Sequence, residues 1–416
     1  MTEYEYVEKG NVFQSWVRER LFLGLSIKEY LKSLITPFNI VAAIIILVGL
    51  PFMLMRFTQG LGAVTHASQD QPWGLFLSWG LFSGVPLAAT GFIMATAVYI
   101  FGLKEYHPLV RPAILTGFLG YFFAVVFLLF DLGRPWRLPY PMVMSYGTSS
   151  VLFLVGWHVA LYLSTQLVEF CPAIFEWLGA DRFRRWALKV TIGATIFGVI
   201  LSTLHQSALG ALFLLAPGKL HPLWYSEFIP AFFFISAIAA GLSMVIVVST
   251  LSQRVFKSQI SPQQASNYNQ LTIGLGRAAS LVLLTYFCLK WIGVAHGNHW
   301  DLLNTSWGHW FLVEIFVFVL VPCFLFVFGV RNRIVGLIQF TAFFTILGVI
   351  INRFNVSLIA LNWKLPHREF FHIKELIIAI SIITIEILAY RWIVNRMPVH
   401  QEHPAYREEH WEETFK

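Results

Sequence analysis

The chain has 416 residues, 57% of them apolar and only 12% charged, where a soluble domain carries about 25% charged residues. That balance excludes an ordinary water-soluble enzyme, and the aromatic share of 16%, with 15 Trp and 39 Phe, suits lipid-facing surfaces and interfacial belts. The formal charge of +7 is a topology signal here, because no Lys/Arg block is long or aromatic-interleaved enough to bind nucleic acid.

In chain order, Met1–Gly10 is polar and acidic, so the first apolar run begins too late for a cleavable signal. Ser15–Leu34 mixes Trp16, Leu21 and Leu25 with Arg18, Arg20, Lys28 and Lys32. It reads as an amphipathic helix on the inner leaflet, or alternatively as a partner-docking helix. Ten apolar runs of spanning length follow: Thr36–Phe57, Gly74–Phe101, Ala113–Phe130, Ser149–Val168, Ala187–Gln206, Phe228–Leu251, Thr272–Ala295, Trp307–Phe328, Arg333–Phe354 and Leu376–Val394. Continuous apolarity without alternation predicts helices rather than a barrel. The expected fold is all-α, polytopic and transmembrane, with about ten helices.

With the N-terminus in the cytoplasm, nineteen Lys/Arg fall in inner segments and six in outer loops, Arg134, Arg137, Lys219, Lys364, Arg368 and Lys374. This bias predicts both termini on the cytoplasmic side of a bacterial inner membrane. The outer loops are rich in His, Trp, Pro, Asp and Gly, the composition of loops that carry function or dock a partner. Cys171, Cys288 and Cys323 are far apart, too few for an iron–sulfur cluster, which usually takes four thiolates. Nucleotide-binding, zinc-protease and nucleophile-elbow motifs are absent from the sequence.

Ionisable groups within spans are functional candidates by default. Asp131, Arg134 and Arg137 follow the third span, His205, Gln206 and Ser207 close the fifth, and Glu227 opens the sixth. The third and fifth spans run the same way, so Asp131 and His205 are expected at one level, where a carboxylate and an imidazole can exchange protons. The same spacing also fits a structural clamp of Asp131 on Arg134 or Arg137, with His205 as a helix cap. His158 falls about 14 Å into the fourth span. It is a buried histidine on a carbonyl or a proton relay; no second deep histidine matches it as a haem ligand. In the C-terminal half, Lys290, Glu314 and Arg353 lie at similar depth, and Glu386 stands alone in the tenth span. They form either a structural charge cluster or a second proton path.

Several segments together resemble the NrfD/PsrC family of quinone-interacting membrane subunits, in its ten-helix, HybB/QrcD/DsrP-like branch, and the QrcD-like members best of all. They are Gln71–Phe76, Tyr106–Ala113, Gly133–Tyr140, Thr203–Phe213, His221–Ser226, the stretch around Arg353 and Ile385–Tyr390. The resemblance implies two four-helix bundles, residues 74–206 and, with a preceding outer loop, 207–354. The flanking helices are then 36–57 and, with its outer loop, 355–394, between cytoplasmic segments 1–35 and 395–416. It implies a menaquinone site near the outer face of the first bundle, beside an iron–sulfur protein docked outside, and no haem. Further molybdopterin-like, cytochrome c or hydrogenase subunits are the implied partners. His205 and Asp131 become headgroup ligands and proton donors, with Gln206, Ser207 and Glu227 as binding partners and Arg134 and Arg137 in loop order or docking. Where some relatives carry a glutamate in the fourth span, this chain has Leu154, and His158, four residues on, is its replacement as proton carrier. Other relatives carry an acid near Gly80. A secondary transporter and a passive anchor are the competing readings.

Overall fold

The computed structural model describes residues 14–260, 262–367 and 369–400. The expectations for Met1–Gly10, for Arg368 and for the tail past residue 400 lie outside them. Among the described residues, ten helices are long and apolar enough to cross a membrane: α1 (Pro37–Gln59), α2 (Phe76–Ile100), α3 (Lys104–Asp131), α4 (Val151–Leu178), α5 (Asp181–Leu215), α6 (Ile229–Val255), α7 (Gln264–His296), α8 (Ser306–Arg331), α9 (Val335–Ile359) and α10 (Ile373–Val394). There is no β-sheet among the described residues; one isolated bridge joins Leu220 to Leu361. The all-α polytopic fold is as expected.

Local chemistry sets the helix limits. Thr36 accepts from Asn39 N at 3.2 Å, with Pro37 in the first turn of α1; both are favoured helix starts. Ser150 caps α4, which ends at Gly179 with φ 72°, a left-handed position that suits glycine. The spans outrun their apolar runs. α3 begins at Lys104 rather than Ala113, α4 continues to Leu178 rather than Val168, and α5 covers Asp181–Leu215 rather than Ala187–Gln206. Hydropathy measures the hydrocarbon thickness, whereas a helix can continue into the interface once its polar side chains find partners.

The segment expected as one amphipathic helix, Ser15–Leu34, is two: residues 14–21 and Ile27–Ser33. Leu23 and Gly24 break it with φ of 55° and 78°, and Ser26 with Glu29 forms a capping box that restarts it. The two helices pack by the chain end, where Arg396 donates to Leu21 O at 3.0 Å and Tyr30 Oη at 2.6 Å.

Helices α2–α5 close into one four-helix bundle and α6–α9 into another, joined through α6 on α5 and α2 and through α9 on α2. At that last seam Ser357 donates to Ser78 Oγ at 2.8 Å. α1 pairs with α10, which packs on α3. α2 is the most enclosed span, with 78% of its apolar window inside the protein against 11% for α1. Thus α2 is core, and α1 is a lipid-facing flank. Part of α2 is π-helical, over Phe76–Ser83 and Thr96–Ile100. Its first turn is held from outside the bundle, by Phe76 N donating to Glu375 Oε1 at 3.0 Å.

Candidate functional site

His205 is fully buried between two tyrosines, its ring centroid 5.1 Å from Tyr121 and 5.3 Å from Tyr162. Its Nδ1 lies 2.8 Å from Leu201 O. A carbonyl only accepts, so Nδ1 carries the proton and Nε2 is the acceptor for the Tyr121 hydroxyl, which it contacts directly. Gln206 Nε2 donates to Val85 O at 3.1 Å and to Tyr121 Oη at 3.2 Å. Its Oε1 is buried without a partner among the described residues. Gln166 donates to Tyr162 Oη at 3.1 Å. Room for that amide comes from Gly117 and Gly91, where an added Cβ would fall 2.4 and 2.9 Å from Gln166 Nε2.

These groups belong to a longer stripe. His158, Tyr162, Gln166, Glu169 and Glu176 recur every three, four or seven residues on α4, so they share one helix face. From His158 to Glu176 is about 27 Å along the axis, close to the ~30 Å of a hydrocarbon core. His158, at one end, is half-buried, with Nδ1 unpartnered among the described residues and with electrostatic coupling to His205. Glu169 is buried and accepts from Thr195 Oγ1 at 2.8 Å. Glu176, at the other end, pairs with Arg111 at 2.9 Å, and Arg111 also holds Pro398 O at 2.9 Å.

His205 and Asp131, expected at one level, are not at one level. His205 meets α3 at Tyr121, ten residues before Asp131 and so about 15 Å along the helix from it. The expectation failed because α5 runs on to Leu215, so His205 is well inside the bundle rather than at its rim. Asp131 instead couples to Arg56 and Glu375. Arg56 is buried and donates to Phe130 O at 2.5 Å and to Leu132 O. Neither Arg134 nor Arg137 pairs with Asp131 among the described residues. Both are exposed, and Arg137 lies over Tyr140. Ser207 is half-buried beside the network. Glu227 is exposed and 3.6 Å from His296, apart from His205.

The second bundle holds a charged cluster at a matching place. Arg353, on the last helix, donates to Phe233 O on the first at 3.1 Å, as Gln206 does to Val85 O in the other bundle. Glu314 is 1% exposed and accepts from Trp224 Nε1 at 2.7 Å, from Asn352 Nδ2 at 2.6 Å and from Asn355 Nδ2. Arg353 also donates to Asn352 Oδ1 at 2.9 Å and Ser236 Oγ at 2.7 Å. Lys290 Nζ sits over the rings of Phe232 and Phe311, at 5.3 and 5.1 Å, a cation–π arrangement. The expected grouping of Lys290, Glu314 and Arg353 is therefore present as an electrostatic cluster, without a direct Glu314 ion pair to either cation. Glu386 is half-buried on α10 and joins neither network. Above the cluster, outside the spans, His221 is packed among Trp224, Trp307 and Trp363. Burial, helped by the charge of His299, holds its imidazole down at about 4.

Sequence reading missed Tyr121, Tyr162, Gln166, Glu169, Arg56 and the Asn352–Asn355 pair. The α4 stripe was visible as a repeat, but the apolar run was ended at Val168, one residue short of Glu169. No group of His, Cys, Asp and Glu among the described residues is placed to hold a metal ion.

Two helix bundles with buried polar centres, built on ten candidate spans among the described residues, define a polytopic integral membrane protein. Residues 63–362 match the family described as polysulphide reductase, NrfD, and the chain belongs to the NrfD family. It is 50% identical to a protein of Nitratidesulfovibrio vulgaris (strain Hildenborough), over 91% of this chain and 98% of the other. It is 30% identical to the probable Ni/Fe-hydrogenase 2 b-type cytochrome subunit of Escherichia coli (strain K12), over 85% and 90%. It is 25% identical to the menaquinone reductase integral membrane subunit of N. vulgaris, over 80% and 85%.

Proposed function

We propose that this chain exchanges electrons between an iron–sulfur partner, docked at the end of the molecule where α3 and α5 finish, and menaquinone. That end faces the periplasm and both termini face the cytoplasm, in keeping with the bias of Lys and Arg. The relative named as a menaquinone reductase subunit supports the substrate class. Reducing a quinone takes two electrons from the partner and two protons from the protein. The observation that carries the reading is the polar stripe on α4, which runs from a half-buried histidine about 10 Å inside one end of the helix to an acid near the other end.

The geometry changes the roles within that site. Both His205 nitrogens are engaged inside the protein, so His205 acts through Tyr121 rather than as a direct headgroup ligand. His158 is half-buried, and its Nδ1 is enclosed and unpartnered among the described residues, so a headgroup carbonyl or hydroxyl entering beside it would supply the missing partner. The quinone headgroup is therefore received beside His158, under the loop of residues 132–150. That loop is held to α4 by Trp157 Nε1 donating to Pro141 O at 3.1 Å. Tyr121, Tyr162, His205 and Gln206 resupply the proton from Glu169, so reduction draws its protons from the cytoplasmic side. Arg56, which donates to the carbonyls of Phe130 and Leu132, ties the end of α3 to α1, and Asp131 stands beside that guanidinium instead of touching substrate.

The test is the complex purified with whichever redox partners accompany it, assayed with a water-soluble naphthoquinone. His158→Gln is expected to assemble normally and lose about 10²-fold or more in quinone turnover. Undiminished turnover in a normally assembled His158→Gln complex would leave the chain a passive anchor.

A further inference from the structure

A sizeable cavity lies away from that stripe, at the second bundle. It has a volume of about 550 Å³ and is lined by Ser306, Trp307 and Trp310 of α8, Phe354, Leu358 and Ile359 of α9, and Phe370 and Phe371 before α10. Small-molecule sites run from about 300 to 1,000 Å³, so this one holds a ligand rather than a few waters. None of its lining residues is charged.

The wall is built so that its polar atoms face elsewhere. α9 ends in a π-helical turn, Asn355–Ile359, and such turns are frequent at functional sites. The wider turn sends Asn355 and Ser357 inward, to Glu314 and Ser78. Leu358 and Ile359 are left on the cavity side. Trp310 likewise turns its Nε1 inward, to Asn355 Oδ1 at 3.0 Å, and presents its ring to the cavity. Ser306, exposed at the start of α8, carries the one lining side-chain hydroxyl.

We propose that this cavity is a second lipid site, taking the isoprenoid chain of a lipid with an uncharged head. Five aromatic side chains line it, and ring faces favour the unsaturated, methyl-branched units of a polyprenyl chain over a saturated acyl chain. A phospholipid head would need cationic or multiple polar partners, whereas a neutral head is satisfied by a single hydroxyl such as that of Ser306. Two of the lining rings, Phe370 and Phe371, stand exposed, so the cavity is open to a chain from outside the protein. Contact with Trp310 places the ligand one hydrogen bond from Asn355 and two from Glu314. The site does not depend on the redox role of the α2–α5 bundle.

The experiment uses the full chain in phosphatidylcholine nanodiscs and two photoreactive diazirine probes, one on a tetraprenyl alcohol and one on the acyl chain of phosphatidylcholine. The tetraprenyl probe is expected to label peptides containing Trp307, Trp310, Phe370 or Phe371 saturably, and unlabelled tetraprenyl alcohol should compete. Phe370→Ala with Phe371→Ala removes two exposed rings and should weaken half-saturation about tenfold. Ile359→Trp, which fills the cavity, should abolish saturable labelling. Labelling that rises linearly and is the same in the double alanine variant overturns the proposal. So does saturable labelling by the phosphatidylcholine probe at the same peptides, which makes this an acyl-chain site.

Discussion

Glu314→Gln separates a structural lock from a proton carrier in the second bundle. Glutamine is nearly isosteric, so no cavity forms, and the change is confined to charge and hydrogen bonding. Glu314 Oε1 accepts from Asn352 and Oε2 from both Trp224 and Asn355. An amide nitrogen must then face a donor whichever way it is turned, leaving at least one buried N–H unsatisfied at a cost of about 1–3 kcal/mol. The substitution also removes the carboxylate that couples to Lys290 and Arg353, and breaking a buried charge set by removing one member costs about 3–5 kcal/mol. The two costs overlap, so the expected loss is about 3–5 kcal/mol in all. It would be read as a lower midpoint for loss of the monodisperse peak when the solubilised complex is heated. Lys290→Met added to Glu314→Gln should restore part of it, because one uncompensated cation is then gone. The fraction that stays folded should keep its quinone turnover. A Glu314→Gln complex as stable as wild type, yet inactive with quinone, would refute this reasoning and make Glu314 a proton carrier.

Tyr121→Phe removes the donor to His205 Nε2 and one acceptor of Gln206, and it should lower quinone turnover about 10²-fold or more while assembly is unchanged. Glu169→Gln keeps an acceptor for Thr195, so it should cost little stability but slow turnover, most strongly when the proton is drawn across the membrane in sealed vesicles. His221 gives a pH dependence outside the spans. Its folded-state value of about 4 lies below the ordinary 6.5, so the neutral ring stabilises the fold in full above 6.5. That stability is lost as the pH falls from about 6.5 towards about 4. Thermal midpoints measured across that window should fall less steeply for His221→Phe; an unchanged slope would show that the imidazole is not responsible.

The number of spans was legible because lipid leaves the chain few options: backbone groups must be satisfied within a helix, and twenty apolar residues announce one. The helix ends were not, and the site depended on them. Reading the fifth span as ending at Gln206 put His205 at the rim, level with Asp131; nine more helical residues move it to the depth of Tyr121. The same error in the fourth span left Glu169 outside the membrane and hid a stripe whose spacing was already in the sequence. The tyrosines could not have been found by a search for charge, since Tyr121 and Tyr162 are unremarkable in an aromatic-rich chain until their hydroxyls meet His205 and Gln166.

Gly80 shows the limit from the other direction. The resemblance implies an acid near Gly80 in some relatives, and this chain has none on α2. In the fold, a Cβ at that position would lie 2.2 Å from Phe127 Cβ, so α2 and α3 touch where a side chain would have to pass. Close approach of these helices and an acid on α2 exclude each other, and this chain has the close approach. With α2 carrying no acid toward α3 at that level, the protonatable groups of the first bundle lie mainly along α4 and α5. A variant that restored an acid at Gly80 would have to separate α2 from α3 before it could share any proton with His205.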